Sequence, residues 1–136
     1  MVRKDFLQAE IEKLAQVLAK IIKLKNDGAE LSAEELTLDT LTENFGFSWE
    51  EITDLSVEDF EKKLRSKEFA PEKLDILSQF LFESVYPFEE IPETDEVLHK
   101  VLEIFAMLEK EHKTQSLDNL NRQVMIDRFL NSRQHE

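Results

Sequence analysis

The chain contains no cysteine among its 136 residues. A disulfide framework, a thiolate zinc site and a cysteine nucleophile are therefore excluded, and nothing requires an oxidising compartment. Glycine is almost as scarce, since Gly28 and Gly46 are the only two and stand far apart. Loops that cradle nucleotide phosphates need several glycines close together, so nucleotide binding by such a loop is excluded as well.

The sequence also has few basic residues and no long apolar run. The 17 basic residues are outnumbered by 30 acidic ones, which leaves a net charge of −13 and argues against binding to a nucleic-acid backbone or an anionic membrane surface. No run approaches the roughly 18 apolar residues of a transmembrane helix, and acidic residues interrupt the apolar start that a signal peptide needs. We therefore expect a cytoplasmic protein without nucleic-acid or membrane partners.

The apolar residues, 41% of the chain by a count that includes alanine and tyrosine, recur with helical spacing. Steps of three and four residues predict a first helix over 4–26, ended at Gly28, and further helices over 71–84 and 95–112. The apolar face of the helix over 95–112 is wide enough to predict a central position. A last helix from Ser116 is predicted to carry its apolar residues on one side, with the polar end from Asn131 fraying; those residues are Leu117, Leu120, Val124, Phe129 and Leu130.

Helix starts are marked by a pattern that occurs three times. Ser32, Ser48 and Ser56 each follow an apolar residue and precede an acidic residue by three positions. A serine hydroxyl at this place accepts a hydrogen bond from an otherwise unpaired N–H of the first helical turn. We predict helix starts at these serines, caps at Thr94 and Ser116 for the last two helices, and ends near Asn44 and Ser66. Pro71 suits the first position of its helix.

Apolar and polar residues never alternate for long, so no strand is predicted. The expected fold is all-α, with antiparallel helix pairs stacked as a compact, tetratricopeptide-like bundle of five substantial helices and one or two short ones. We expect a single domain over residues 1–132 and a frayed tail over 133–136.

The chain resembles a family of small bacterial proteins of uncharacterised function with a tetratricopeptide-like, all-helical fold. The likeness lies in residues up to Tyr86, namely Arg3-Lys4-Asp5-Phe6, Ile11-Glu12-Lys13-Leu14, Leu24-Lys25, Leu55-Ser56-Val57-Glu58-Asp59-Phe60 and Pro71-Glu72-Lys73-Leu74. The resemblance implies the helical fold, and it brings no activity, cofactor or catalytic residue to this chain.

Two Glu-x-x-His motifs are the only metal-ligand pattern, Glu96 with His99 and Glu109 with His112. Di-iron bundles use such motifs on different helices, whereas these lie on one helix about 20 Å apart at 1.5 Å per residue. They cannot share one metal ion, and His135 lies in the predicted tail. The serines are explained as caps. We therefore predict no metal, cofactor or catalytic residue, and no enzymatic activity.

Apolar residues in loops are the best candidates for partner binding. Tyr86, Phe88 and Ile91 lie in a segment bounded by prolines, and Trp49 follows Gly46. Such side chains anchor partners when they are exposed. By contrast, we expect the neighbours of Trp49, Phe45 and Phe47, to lie in the core.

The charge distribution leaves two functional hypotheses open. Residues 27–111 hold 24 acidic and seven basic residues, a net −17, whereas both ends are mildly basic. The first hypothesis is a non-enzymatic module for protein or peptide binding, with a second copy in a homodimer as one such partner. The alternative is an acidic inhibitor or immunity-like protein that binds a basic partner. An enzyme would require an apolar pocket beside a carboxyl group of raised pKa.

Overall fold

The computed structural model of the chain describes the backbone of residues 2–134 and the side chains of residues 4–133. Over these residues it contains seven α-helices, one π-helical turn and no strand, which confirms the all-α prediction. The helices are α1 Val2–Asn26, α2 Glu30–Thr40, α3 Trp49–Asp54, α4 Val57–Lys67, α5 Pro71–Val85, α6 Pro92–His112 and α7 Leu117–Gln134. None of them, over the described residues, combines the length and apolar character needed to cross a bilayer.

Backbone contacts divide the chain into two compact units, Met1–Trp49 and Glu50–Glu136. A single cooperative domain and a tetratricopeptide-like stacking of the helices stay predictions.

In the first unit, α1 packs against α2. The end of α1 is the one that the sequence predicts, because Gly28 adopts a positive φ of 83°. The N–H of Ala29 donates to the carbonyl of Leu24 at 2.8 Å, and that of Gly28 donates to Lys25 at 3.1 Å. These two bonds form a Schellman motif, which satisfies carbonyls at the helix end.

The predicted cap at Ser32 is wrong. Helix α2 begins at Glu30, and Ala29 occupies the N-cap position without a side-chain hydrogen bond. The Schellman turn leads directly into the new helix, since the N–H of Ala33 already donates to the carbonyl of Ala29 at 3.0 Å. Ser32 therefore lies inside the first turn, where its hydroxyl is not needed as a cap.

The segment that follows α2 is a π-helical turn, Leu41–Phe45. It ends where the sequence predicts, at Gly46, whose φ of 75° is left-handed. The N–H of Phe47 then donates to the carbonyl of Leu41 at 3.0 Å. Phe45 and Phe47 are fully buried, which confirms that they belong to the core.

In the second unit, α6 packs against α4, α5 and α7. This confirms the central position that its wide apolar face predicts. The fully buried residues of that face are Val97, Leu98, Val101, Ile104 and Leu108. Helix α5 makes the most extensive contact with α6, and it begins with Pro71 at its first position as predicted.

Two of the predicted serine caps are confirmed in this unit. The hydroxyl of Ser56 accepts from the N–H of Asp59 at 3.1 Å, and that of Ser116 accepts from the N–H of Asn119 at 3.0 Å. Helix α3 begins directly after Ser48, at the position that the sequence predicts.

The predicted cap at Thr94 is wrong, because α6 begins two residues earlier, at Pro92. Proline is favoured at the first helical position, where its missing N–H costs nothing. Ile91 is the N-cap residue, and Thr94 is buried inside the first turn. The loop before α6 is consequently only residues 86–91.

The apolar side of α7 differs from the prediction. Ile126 and Asn119 are buried, whereas Leu117, Leu120 and Val124 are exposed. The inward side of the helix combines the buried Ile126 with polar residues that contact α5 and α6. Leu117, Leu120 and Val124 therefore lie on the outward side, whereas Phe129 and Leu130, the other two residues of the predicted apolar side, are half-buried.

Polar contacts hold α7 at both ends. The amide of Asn119 donates to Asp75 Oδ1 on α5 at 2.6 Å. Near the other end, Arg133 Nε lies 2.9 Å from Asp95 Oδ1 and donates to Oδ2 at 3.0 Å. With this anchor the helix continues to Gln134, past the point where we expected it to fray; His135 and the rest of the predicted tail lie outside the described residues.

Candidate functional site

The loop between α5 and α6 carries three of the four predicted partner-binding residues. Tyr86 and Ile91 are 41% and 42% exposed, and Phe88 is half-buried. The peptide bond between Tyr86 and Pro87 is cis. The fourth residue, Trp49, is half-buried and belongs to the Met1–Trp49 unit, whereas the other three belong to the Glu50–Glu136 unit.

Four rings form an aromatic cluster around this loop: Phe82, Tyr86, Phe88 and Phe129. Phe82 stacks on Tyr86 with centroids 5.6 Å apart, and Phe88 meets both of them edge-on at 5.3 and 5.6 Å. Phe129 of α7 lies 5.3 Å from Phe88. Such ring pairs are worth about 0.5–1.5 kcal/mol each beyond their burial. The cluster therefore fixes the loop against α5 and α7.

An ion pair lies next to the aromatic cluster. The guanidinium of Arg133 lies 5.6 Å above the ring of Phe129, and it contacts Asp95 in the first turn of α6. A carboxylate at this end of a helix is also favoured by the helix dipole. The pair joins the end of α7 to the start of α6, immediately after the loop.

Carboxylates surround the exposed part of the loop. Glu89 and Glu90 are exposed immediately before Ile91, and Glu93 is exposed in the first turn of α6. We call Tyr86, Phe88, Ile91, Glu89 and Glu90 the loop patch. It presents two exposed apolar side chains in an acidic setting.

The residues that sequence reasoning missed are those that hold the loop patch in place. Phe82 lies four residues before Tyr86 on α5, a spacing that places two side chains on the same helix face. That signal is in the sequence. The contributions of Phe129 and Arg133 have no local signal, because both come from α7, 38 or more positions after Ile91.

Two carboxyl groups with shifted pKa values lie where α4 meets α6. Burial raises the pKa of Glu103, and the negative charge of Glu61 raises it further. The hydrogen bond from Arg65 lowers the pKa of Glu111, and Arg65 also binds Glu61 at 2.7 Å. Glu103 thus meets one requirement for acid–base chemistry, a carboxyl group of raised pKa.

The second requirement is a pocket. A cleft between the end of α6 and the start of α7 has a volume of about 20 Å³ and is lined by Phe105, Leu108, Glu109 and Leu120 among others. This is room for about one water molecule, whereas small-molecule sites measure roughly 300–1,000 Å³. Neither Glu103 nor Glu61 lines the cleft, so this cleft and the shifted carboxyl group do not form one site.

The histidine motifs of α6 are not assembled into a metal site. His99 is exposed and His112 is half-buried at the helix end. Glu96, the other candidate ligand of the first motif, instead binds Lys100 at 3.3 Å. Over the side chains of residues 4–133, no group of three or more histidine or acidic residues is placed to hold a metal ion.

We expect Glu103→Gln to stabilise the protein at pH 7 and to leave its stability unchanged at about pH 3. A carboxyl group whose pKa is raised on folding favours the folded state below its unfolded pKa of about 4.3. That contribution is lost as the pH rises through the folded value, and glutamine, which never ionises, avoids the loss. The gain at pH 7 should be a few tenths of a kcal/mol, since the group is only partly buried.

Urea unfolding of both proteins at pH 3 and pH 7 measures this difference. Glu109→Gln, an exposed position on the same helix, controls for the general effect of removing one negative charge. A Glu103→Gln protein that is less stable than wild type at pH 7 would contradict the assignment.

Comparison of the chain with protein-family models, with curated proteins and with solved structures finds no match. The resemblance to a bacterial helical family stays a prediction. Function is therefore inferred from the surfaces of the chain itself, of which the loop patch is the one where sequence candidates and structural support coincide.

Proposed function

We propose that this chain is a non-enzymatic helical module of the cytoplasm that binds another protein or peptide through the loop patch. The observation that carries the proposal is the exposure of Tyr86 and Ile91 on a loop held by four aromatic rings. A surface that is already ordered loses little conformational entropy on binding. Tyrosine is also enriched among the residues that dominate binding energies.

The charges of the loop patch specify the partner further. Glu89 and Glu90 border the two exposed apolar side chains. A matching segment carries an apolar anchor flanked by lysine or arginine. Charges at the rim of such an interface accelerate association and select the partner, while the buried apolar contact provides most of the affinity.

The tetratricopeptide-like stacking of helices is part of the same proposal. Folds built from stacked helix pairs present extended surfaces for other proteins. The alternative, an acidic inhibitor of a basic protein, draws on the net −17 of residues 27–111. Salt separates the two functions, because binding driven by exposed charges weakens steeply with ionic strength.

The experiment is affinity capture from a lysate of the source organism at low and high salt, with wild type and a Tyr86→Ala/Ile91→Ala double variant. We expect a protein that wild type retains at both salt concentrations and that the double variant binds at least about tenfold more weakly. Each anchor of this kind is worth roughly 1–2 kcal/mol, and about 1.4 kcal/mol corresponds to a factor of ten.

The control is Leu31→Ala, which removes an exposed leucine from α2, outside the loop patch. It should leave capture unchanged. A protein released by salt and indifferent to the double variant would favour the acidic inhibitor instead. An empty capture would contradict both binding functions.

A further inference from the structure

The last part of α7, residues 127–133, contains no buried side chain. Phe129, Leu130 and Arg133 are half-buried, and the other four residues are exposed. Ile126, immediately before this segment, is buried. A segment with few buried side chains opens at a lower free energy than a packed core. We call residues 127–133 the α7 end, and we expect it to open while the core stays folded.

Two side chains of the α7 end make contacts next to the loop patch. The ring of Phe129 lies 5.3 Å from that of Phe88, within the loop. Arg133 Nε lies 2.9 Å from Asp95 Oδ1 and donates to Oδ2 at 3.0 Å, in the first turn of α6. The exposed residues 89–91 lie between these two contacts in the sequence. The α7 end therefore holds the chain on both sides of them.

Arg133 links the two contacts. Its guanidinium lies 5.6 Å from the ring centroid of Phe129, so the positions of the ring and of the ion pair depend on each other. The side chains of Arg133 and Asp95 are only 21% and 28% exposed. Removal of Arg133 leaves a largely buried carboxylate without its counter-charge, which costs more than the loss of an exposed ion pair.

A continuous series of contacts joins this ion pair to the exposed tyrosine of the loop patch. Arg133 contacts Phe129, Phe129 contacts Phe88, and Phe88 meets Tyr86 edge-on at 5.6 Å. Opening of the α7 end withdraws Phe129 from the aromatic cluster. Phe88 then keeps the rings contributed by α5 and by the loop itself, and it loses the one that comes from α7.

We propose that the α7 end is a conformational device that controls the order of the loop patch. When it is docked, the loop is held on both sides of residues 89–91; when it opens, Phe88 and Asp95 are released and the loop patch loses order. Coupling of this kind is reciprocal, so that whatever orders the loop patch also docks the α7 end. The coupling belongs to the chain itself, whereas its use in controlling partner binding rests on the proposed function.

The first test reads the loop patch while the α7 end is changed. Tyr86 is the only tyrosine of the chain, so incorporated fluorotyrosine gives a single fluorine NMR resonance from the loop patch of the full chain. Arg133→Ala should shift this resonance toward its position in the urea-unfolded chain, although residue 133 acts on Tyr86 only through intervening rings. Arg128→Ala, at an exposed position of the same α7 end, is the matched control and should leave the resonance in place.

The second test reads the α7 end while the loop is changed. Phe88→Ala removes the ring on which Phe129 packs, and amide hydrogen exchange of residues 127–133 should become at least about tenfold faster. Amides of α5 and α6 that exchange only on global unfolding should accelerate less. Ile91→Ala removes an exposed side chain from the same loop and should leave exchange of the α7 end unchanged.

The inference is overturned by a Tyr86 resonance that does not respond to Arg133→Ala, because the loop patch would then be ordered without the α7 end. Exchange of residues 127–133 that does not respond to Phe88→Ala would overturn it as well. Equal acceleration of exchange in α5, α6 and the α7 end would also contradict it, since the variants would then act through global unfolding. Both tests use the free chain, so they can fail while affinity capture succeeds, and the reverse.

Discussion

The Phe80→Ala variant is expected to lose about 3–5 kcal/mol of unfolding free energy. Phe80 is 0% exposed on α5, the helix that makes the most extensive contact with α6. Truncation removes apolar contacts and leaves a cavity that the surrounding helices fill only in part. Because a domain of this size is stable by roughly 5–15 kcal/mol, the loss is a large share of the total. Urea unfolding followed by circular dichroism measures it.

The same substitution at an exposed site is the control. Phe6 on α1 is 71% exposed, and Phe6→Ala should change the free energy of unfolding by no more than about 0.5 kcal/mol. Equal losses in the two variants would contradict the burial of Phe80 in a tightly packed core.

Fluorescence of Trp49, the only tryptophan, adds a test of the single-domain prediction. This residue belongs to the Met1–Trp49 unit, whereas Phe80 belongs to the other. If the two units unfold as one cooperative domain, Phe80→Ala shifts the fluorescence transition as far as it shifts the circular dichroism transition. A fluorescence transition that stays in place would show that the units unfold separately.

The second large effect concerns a buried lysine. The Lys100 side chain is 0% exposed on α6, and its ammonium lies 3.3 Å from the carboxylate of Glu96, which is 53% exposed. Glu96→Ala removes this hydrogen-bond partner and leaves the charge of Lys100 buried. We expect a loss of about 2 kcal/mol or more of unfolding free energy, at the lower end of the range for broken buried pairs because Glu96 itself is half-exposed.

Lys100→Met is not expected to lower the free energy of unfolding in this way. Methionine keeps much of the length of the lysine side chain without its charge, and replacing a buried charge by an apolar group of similar size is often neutral or stabilising. In the Glu96→Ala background, Lys100→Met should therefore recover most of the lost stability.

A double-mutant cycle by urea unfolding isolates this coupling between Lys100 and Glu96. Glu109→Ala, at an exposed position of the same helix, controls for the loss of a glutamate side chain. Additive effects in the cycle would show that the two residues do not interact.

The sequence predicts a buried position at residue 100 from its spacing, although the residue type is not one expected in a core. Lys100 lies three residues after Val97 and four before Ile104, so helical spacing places it on the buried face of α6. The structure follows this periodicity. The residue type alone predicts an exposed side chain, because lysine is almost never fully buried unless it is paired. Only the packing of α4, α5 and α7 against α6 shows that Lys100 is buried.

The candidate site, too, could be predicted from the sequence only in part. Tyr86, Phe88 and Ile91 are predicted from their place in the loop that contains Pro87 and ends before Pro92, and their exposure or partial exposure agrees with a loop position. Their support was not predicted, because Phe129 and Arg133 arrive from α7. Ring contacts and ion pairs across such distances in sequence leave no local pattern.

The amino-acid sequence alone specified the helical class, most helix ends and the central place of α6. Those features depend on residues within about four positions, through caps, left-handed glycines and a 3.6-residue period. The tertiary structure alone decided which side of α7 turns inward. Pairs 44 and 38 positions apart contribute to that choice, Asp75 with Asn119 and Asp95 with Arg133. Together with the buried Ile126 and the ring contact of Phe129, these polar contacts fix the inward side of the helix, and Leu117, Leu120 and Val124 lie on its exposed side.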